Sequence, residues 1–371
     1  MHPATILAQL DGFEDPTGAL VPALQLGVSS RPPGAEAASH YARSGNSAAG
    51  LVERVMTALD GGAVAAAFTS AAAITQAVLS TLRPGDHVIY DSGTYYEFAA
   101  GIRDFGARWG IEAEGVDLTD LETARGAVRP GRTRLVWAEC PTNPMWRVPN
   151  IKGLAKVFHA SGATLLVDAT VATPILCRPL TLGADLVLHS ATKYLNGHGD
   201  ILAGVLVGTK DDPAWTAILD ARTRGGSILP PFESWLLLRG LRTLAVRMER
   251  VSASALQIAT ALAADPAVTA VHYPGLAGDP WHRAAAAQFS TGFGGMLSFQ
   301  TGTSAARALA VCGALRLFRR ATSLGSTESL VEHRLTTEGP GSLCPPGLIR
   351  LSVGLEHPGD LIADLVQALR S

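Results

Sequence analysis

Two side chains in this sequence suggest chemistry: the amine of Lys193 and the carboxylate of Asp168. Ser190-Ala191-Thr192-Lys193-Tyr194 follows directly on the apolar run DLVLHS (185–190), and Asp168 falls at the end of the run TLLVDA (164–169). Both runs read as strands, and open α/β sheets bind ligands outside the carboxyl ends of their strands. Taken singly, an Asp at a strand end is usually a turn or cap, and a Lys after a strand is usually solvated. Together they match what pyridoxal 5′-phosphate (PLP) requires. A lysine must form the imine with its aldehyde, and a carboxylate must keep the pyridine nitrogen protonated so that the ring acts as an electron sink. Ser190 and Thr192 are expected to bind the phosphate, a task for hydroxyls and free backbone N–H groups.

Such a site needs a buried, mostly parallel sheet behind it. The strand candidates are HVIY (87–90), RLVWAEC (134–140), TLLVDA (164–169), DLVLHS (185–190) and AGVLVG (203–208). They are continuous β-branched or Leu runs, the pattern of strands buried on both faces under helices. Helical spacing is read over Ser47–Leu59, stopped by Asp60-Gly61-Gly62, and over 71–82, closed by Arg83-Pro84-Gly85-Asp86. A long helical stretch spans 233–264. MLSFQ (296–300), a helix at about 303–315, LIRLSVGL (348–355) and a helix over Pro358–Leu369 complete the chain. Residues 1–45, rich in Pro, Gly and Ser, read as an extended arm. The expected division is an arm (1–45), a cofactor-binding large domain (46–235) and a C-terminal domain (236–371).

The bulk composition removes other classes. With 371 residues, 47% hydrophobic and 17% charged, the chain is long enough for two cores and far from disorder. A net charge of −2 gives no footprint for nucleic acid. No apolar run approaches the roughly 18–20 residues of a membrane span, and the start reads as no secretory signal. Cys140, Cys177, Cys312 and Cys344 are widely spaced, which suits reduced thiols and a cytoplasmic location. The ten histidines form no ligand pair, so no metal is expected; His189 and His198 read as packing residues.

The stretch VDATVATPILCRPLTLGADLVLHSATKYLNGHGDILAGVLVG (167–208) resembles the Cys/Met-metabolism, or trans-sulfuration, family of PLP enzymes. The likeness runs from DPTGALVP (15–22) to LIRLSVGLE (348–356). It implies an aspartate-aminotransferase-like fold of α/β class and a homo-oligomer: a dimer that forms the site, and in the family usually a tetramer. HYARSGN (40–46) resembles a motif whose Tyr41 and Arg43 reach the cofactor phosphate of a neighbouring subunit. ECPTNP (139–144) places Asn143 at the ring hydroxyl oxygen and near the substrate. VDAT places Thr170 beside the cofactor. The backbone of Ser70 and Ala71 would cradle the phosphate, although the family usually has Gly and Met there. In DSGTYYEF (91–98) either Tyr95 or Tyr96 would stack on the ring and assist proton transfer. Arg350 matches the arginine that pairs with the substrate α-carboxylate. Ser323 would add backbone contacts near that carboxylate, and Glu328 would receive a distal ammonium or shape the γ-carbon pocket.

A loop departs from the family after this point. Glu332-His333-Arg334-Leu335-Thr336-Thr337-Glu338-Gly339-Pro340 lacks the usual proline and gains Arg334 and Glu338. The activity implied is a carbon–sulfur lyase like cystathionine γ-lyase. γ-Synthase-type replacement on an acylated homoserine, β-lyase chemistry and a PLP-binding protein without turnover are the alternatives.

Overall fold

The computed structural model describes residues 1–29, 41–339, 342 and 344–371. Part of the arm (30–40) and residues 340, 341 and 343 lie outside the described residues.

Seven strands form the large sheet: β1 (Val64–Phe68), β2 (His87–Asp91), β3 (Glu112–Val116), β4 (Thr133–Glu139), β5 (Thr164–Asp168), β6 (Leu186–His189) and β7 (Gly204–Gly208). Their order is β1-β7-β6-β5-β4-β2-β3. β3, β2, β4, β5 and β6 run parallel, while β7 is antiparallel to both its neighbours. The five runs expected from β-branched composition are all strands. β2 and β7 are buried along their whole length, because helices cover both faces. Each fully buried Val, Leu or Ile contributes roughly 1.5–3 kcal/mol.

A second sheet comes from the C-terminal part: β8 (Ala270–His272), β9 (Met296–Gln300), β10 (Arg319–Arg320), β11 (Leu330–His333) and β12 (Leu348–Ser352). Its order is β10-β11-β12-β9-β8, antiparallel except for β10 with β11. Among the described residues the architecture is therefore mixed α/β, with a large mostly parallel sheet and a smaller second sheet.

Three expectations change. The stretch 233–264 is two helices, Pro231–Leu241 and Leu244–Ala263. Arg247 sits at the break and donates to the carbonyls of Gly240 (2.8 Å), Tyr194 (2.6 Å) and Leu195 (3.3 Å). The helix read over 71–82 ends at Leu79. The arm is not wholly extended: Pro3–Gln9 is a helix whose Ile6 and Leu7 are buried in the main core.

Candidate active site

Lys193 sits in the turn after β6, its amide bonded to Ser190 O at 3.0 Å. Arg247 grips the next two carbonyls, Tyr194 O and Leu195 O, and so fixes the turn. Lys193 Nζ donates to Ser323 Oγ at 2.8 Å. Burial, and then the nearby Arg350 charge, lower its pKa from 10.5 to about 8. Ser323 comes from the C-terminal part and has a left-handed backbone (φ 84°). Gly325, two residues on, packs on the Lys193–Tyr194 backbone; a Cβ there would lie 2.7 Å from Tyr194 N. The loop thus needs a glycine to close on the lysine.

Asp168 ends β5 and is 3% exposed. Its Oδ1 accepts from Thr170 N at 2.9 Å, and Thr170 Oγ1 accepts from Ser190 N at 2.8 Å. Thr170 therefore ties the acid's strand to the lysine's turn. Burial raises the Asp168 pKa. Among the described residues no cation lies at ion-pair distance from it, and His189, which lowers its pKa, is paired with Asp60 at 3.0 Å. A buried carboxylate facing no cation suits a protonated ring nitrogen.

A third corner is the amino end of the helix Ala71–Leu79. Ser70 caps it, accepting from Ala73 N through Oγ (3.1 Å) and from Ile74 N through its carbonyl (3.3 Å). The first-turn amides of Ala71 and Ala72 have no partner within the helix, which suits an anion. Gly204 brings this end close, since a Cβ there would lie 2.6 Å from Ser70 C. Thr192 stands next door, its hydroxyl donating to Ala203 O (3.2 Å) and accepting from Ala203 N (3.0 Å). Ser190, half-buried, precedes the turn.

The opposite wall belongs to the small sheet. Arg350 on β12 is 3% exposed and faces Glu332 on β11, its register partner and ion-pair partner. Its Nη2 donates to Ser323 O at 2.7 Å and its Nη1 to Asn143 Oδ1 at 3.3 Å. Burial lowers its pKa to about 10. Lys193, Ser323, Asn143 and Arg350 are thus one connected set. Glu328 stands apart: its described bond is from Thr327 Oγ1 at 3.0 Å.

Tyr95 and Tyr96 meet edge to face at 5.0 Å between ring centres. The Tyr95 amide is held by Glu139 Oε2 at 2.6 Å, and the Tyr95 ring centre lies 5.5 Å from Arg334 Cζ. Tyr96 begins the helix Tyr96–Trp109 and lines a cavity of about 640 Å³ together with Asn143, Arg103, Trp281 and Glu338. Tyr41 and Arg43 stack on each other (5.5 Å) at the arm, where Tyr41 pairs with Ser29. The described contacts do not bring them to Lys193.

Sequence reasoning missed Glu139. It is the register partner of Asp168, 6% exposed, and its carboxylate also accepts from Thr94 Oγ1 at 2.8 Å. Its place at a strand end beside Asp168 was the available signal. Reasoning also missed how the departing loop is built: Arg334–Glu338 is a short helix and Arg334 bonds Glu332.

The sequence model of the Cys/Met metabolism PLP-dependent enzymes matches residues 25–370. A cystathionine gamma-synthase of Mycobacterium tuberculosis is 42% identical over 335 residues, covering 89% of this chain and 86% of that one. A cystathionine gamma-lyase of Bacillus subtilis is 37% identical, covering 96% of each. The crystal structure of a cystathione gamma lyase (CalE6) from Micromonospora echinospora superposes with a TM-score of 0.95 at 34% identity, covering 100% of both chains.

Proposed function

The chain belongs to the Cys/Met metabolism PLP-dependent enzymes, and from that premise we propose that it is a carbon–sulfur lyase of sulfur amino-acid metabolism, eliminating the γ-substituent of an amino acid such as cystathionine. The observation that carries the reading is the connected set of Lys193, Ser323, Arg350 and Asn143 opposite the uncompensated Asp168.

When bound, PLP supplies the electron sink that stabilises a carbanion at Cα. Lys193 is assigned to hold its aldehyde carbon and, once freed, to take the Cα proton. A lysine whose pKa is lowered to about 8 is a usable base near neutral pH. Asp168 is assigned to the ring nitrogen, and Thr170 fixes its carboxylate. Ser190, Thr192 and the amides of Ser70 and Ala71 are assigned to the phosphate. Tyr41 and Arg43 are assigned to the phosphate of a second copy of the chain. Exposed Leu20, Val21, Leu26 and Val28 in the arm support such a dimer, which pairs further into a tetramer. Tyr95 rather than Tyr96 is assigned to cover the ring and shuttle protons, because Glu139, the register partner of Asp168, holds its backbone. Arg350 takes the substrate α-carboxylate in its planar fork, with Ser323 and Asn143 setting its angle. Glu328 receives the distal ammonium. Four unbridged cysteines support a cytoplasmic setting, and no helix among the described residues is long and apolar enough to cross a membrane.

A second reading, γ-replacement on an acylated homoserine, is favoured by the 42% identity to a γ-synthase. A product screen separates the two. The proposal expects 2-oxobutyrate from cystathionine. Pyruvate from cystathionine would make the enzyme a β-lyase. Cystathionine formed from an O-acyl homoserine and cysteine, with little oxo acid released, would make it a γ-synthase.

A further inference from the structure

Arg334 is a buried cation that the proposed chemistry does not use. Its side chain is 2% exposed. Nε donates to Glu338 Oε1 at 2.8 Å, and Nη1 reaches both oxygens of Glu332 at 3.2 and 3.3 Å. Nη2 is buried and has no acceptor among the described residues. Tyr95 and Tyr96 lie beside the guanidinium, with ring centres 5.5 and 5.2 Å from Cζ. The second oxygen of Glu338 is bound by Ser342 Oγ at 2.6 Å and by Cys344 Sγ at 3.3 Å, so the group that holds Nε is itself fixed.

Glu332 is therefore shared between two arginines. The contacts to Arg334 are long for charge-assisted bonds, which run at about 2.7–2.9 Å. Arg350 is the closer partner. A carboxylate ligand arriving at Arg350 competes for the same donors. Glu332, 6% exposed, has little water to fall back on, and a buried carboxylate stripped of its partner is strongly disfavoured. The spare Nη2 lies on the same guanidinium that already touches Glu332.

We propose that Arg334 is a positioning residue that takes over Glu332 when a substrate α-carboxylate binds Arg350. Nη1 and Nη2 then form a two-pronged pair with Glu332, and the fork of Arg350 is released to the ligand. The exchange keeps Glu332 paired throughout: Arg334 holds Glu332 as well as Glu338, and Arg350 takes the ligand. It selects amino acids with a free α-carboxylate, and it rests on the reading of Arg350 as the carboxylate site.

The test uses the holoenzyme and two ligands without a γ-leaving group, L-2-aminobutyrate and its amide, with Kd measured by calorimetry. Arg334→Met is expected to weaken the carboxylate ligand about tenfold and to leave the amide within about twofold. Arg334→Lys should recover part of the loss. Glu332→Gln removes the competitor, so it should tighten the carboxylate ligand, and in that background Arg334→Met should have almost no further effect. An equal loss for both ligands, or a full tenfold loss in the Glu332→Gln background, overturns the exchange. If Arg334→Met does not fold, Glu332→Gln alone decides, because unchanged or weaker carboxylate binding overturns it. Arg350→Met isolates the premise. Carboxylate preference lost there with a purely additive cycle defeats the exchange alone, whereas preference kept there defeats the Arg350 reading as well.

Discussion

The two walls of the site are built with opposite charge logic. The carboxyl edge of the large sheet carries Asp91, Glu139 and Asp168 at the ends of β2, β4 and β5, all buried. Arg147 pairs with Asp91 at 3.1 Å, but Glu139 and Asp168 have no guanidinium or ammonium partner at ion-pair distance among the described residues. The small-sheet wall carries Arg350 and Arg334, each already paired with a carboxylate. The first wall lacks a cation, which a protonated cofactor ring would bring. The second has its charges matched, which is why the proposed substrate carboxylate is assigned an exchange there. Lys193 comes from the first wall but feels the charges of the second, lowered by Arg350 and raised by Glu332.

The largest expected effect comes from the residue between the walls. Lys193→Ala should abolish turnover, by at least about 10³-fold, and remove the visible absorbance of bound cofactor. An unchanged band with normal turnover would sink the assignment. In the apo protein, Lys193→Met should be stabilising at pH 7. The folded-state pKa (about 8) lies below the unfolded value (10.5), so burying the ammonium costs stability below pH 8. That cost disappears as pH rises from about 8 to 10.5. Melting temperatures of the two apo proteins should therefore converge across that window, and a constant difference would refute the depressed pKa.

Asp168→Asn tests the acidic wall. Turnover should fall by about 10²-fold or more, in the range of a lost acid–base partner, while the chain still binds cofactor. Arg350→Lys tests the basic wall and should do less. A lysine keeps the charge but loses the fork, so KM should rise roughly 10–100-fold, matching a lost charged hydrogen bond of about 1.5–3 kcal/mol, with kcat changed less. If Arg350→Lys proved the more damaging of the two, the contrast between the walls would be wrong.

Much of the acidic wall could be read from sequence and little of the basic one. Strands β2 and β4 to β7 announce themselves because they are largely buried and rich in Val and Leu. Lys193 and Asp168 follow from their positions at the ends of such runs. β1 (VAAAF) and β3 (EAEGV) gave no such signal. Alanine has little strand preference, and β3 is an edge whose Glu112 and Glu114 pair with Arg132 and Arg129. The break near Arg242 carries no proline; it depends on Arg247 capping carbonyls from a turn about fifty residues away. The helix Pro3–Gln9 is too short for its period to show. Arg350 was found by resemblance, but its pairing with Glu332 depends on the β11–β12 register and a departing loop that no local pattern encodes.

Glu139 gives the smallest effect and the finest test of the acidic wall. Burial and the neighbouring Asp168 push its pKa well up, so its charge is disfavoured, whereas the charge of Asp168 is the one the proposal uses. Its task is to accept from Thr94 Oγ1 and Tyr95 N, both through the same oxygen. A glutamine carbonyl can accept both. Glu139→Gln should therefore keep turnover within about threefold, whereas Glu139→Ala, which frees the Tyr95 amide, should lose clearly more. The stability sign follows from the raised pKa. The unfolded carboxylate loses its proton near pH 4.5 and the folded one at higher pH, so the parent is penalised at neutral pH and above. The glutamine variant should melt higher than the parent at pH 8, and the gap should narrow as the pH falls toward 4.5. A gap that widens on acidification would mean that Glu139 is held ionised. The acidic wall would then contain two carboxylates ionised without an ion-pair partner among the described residues, and Asp168 would not stand alone opposite the cofactor ring.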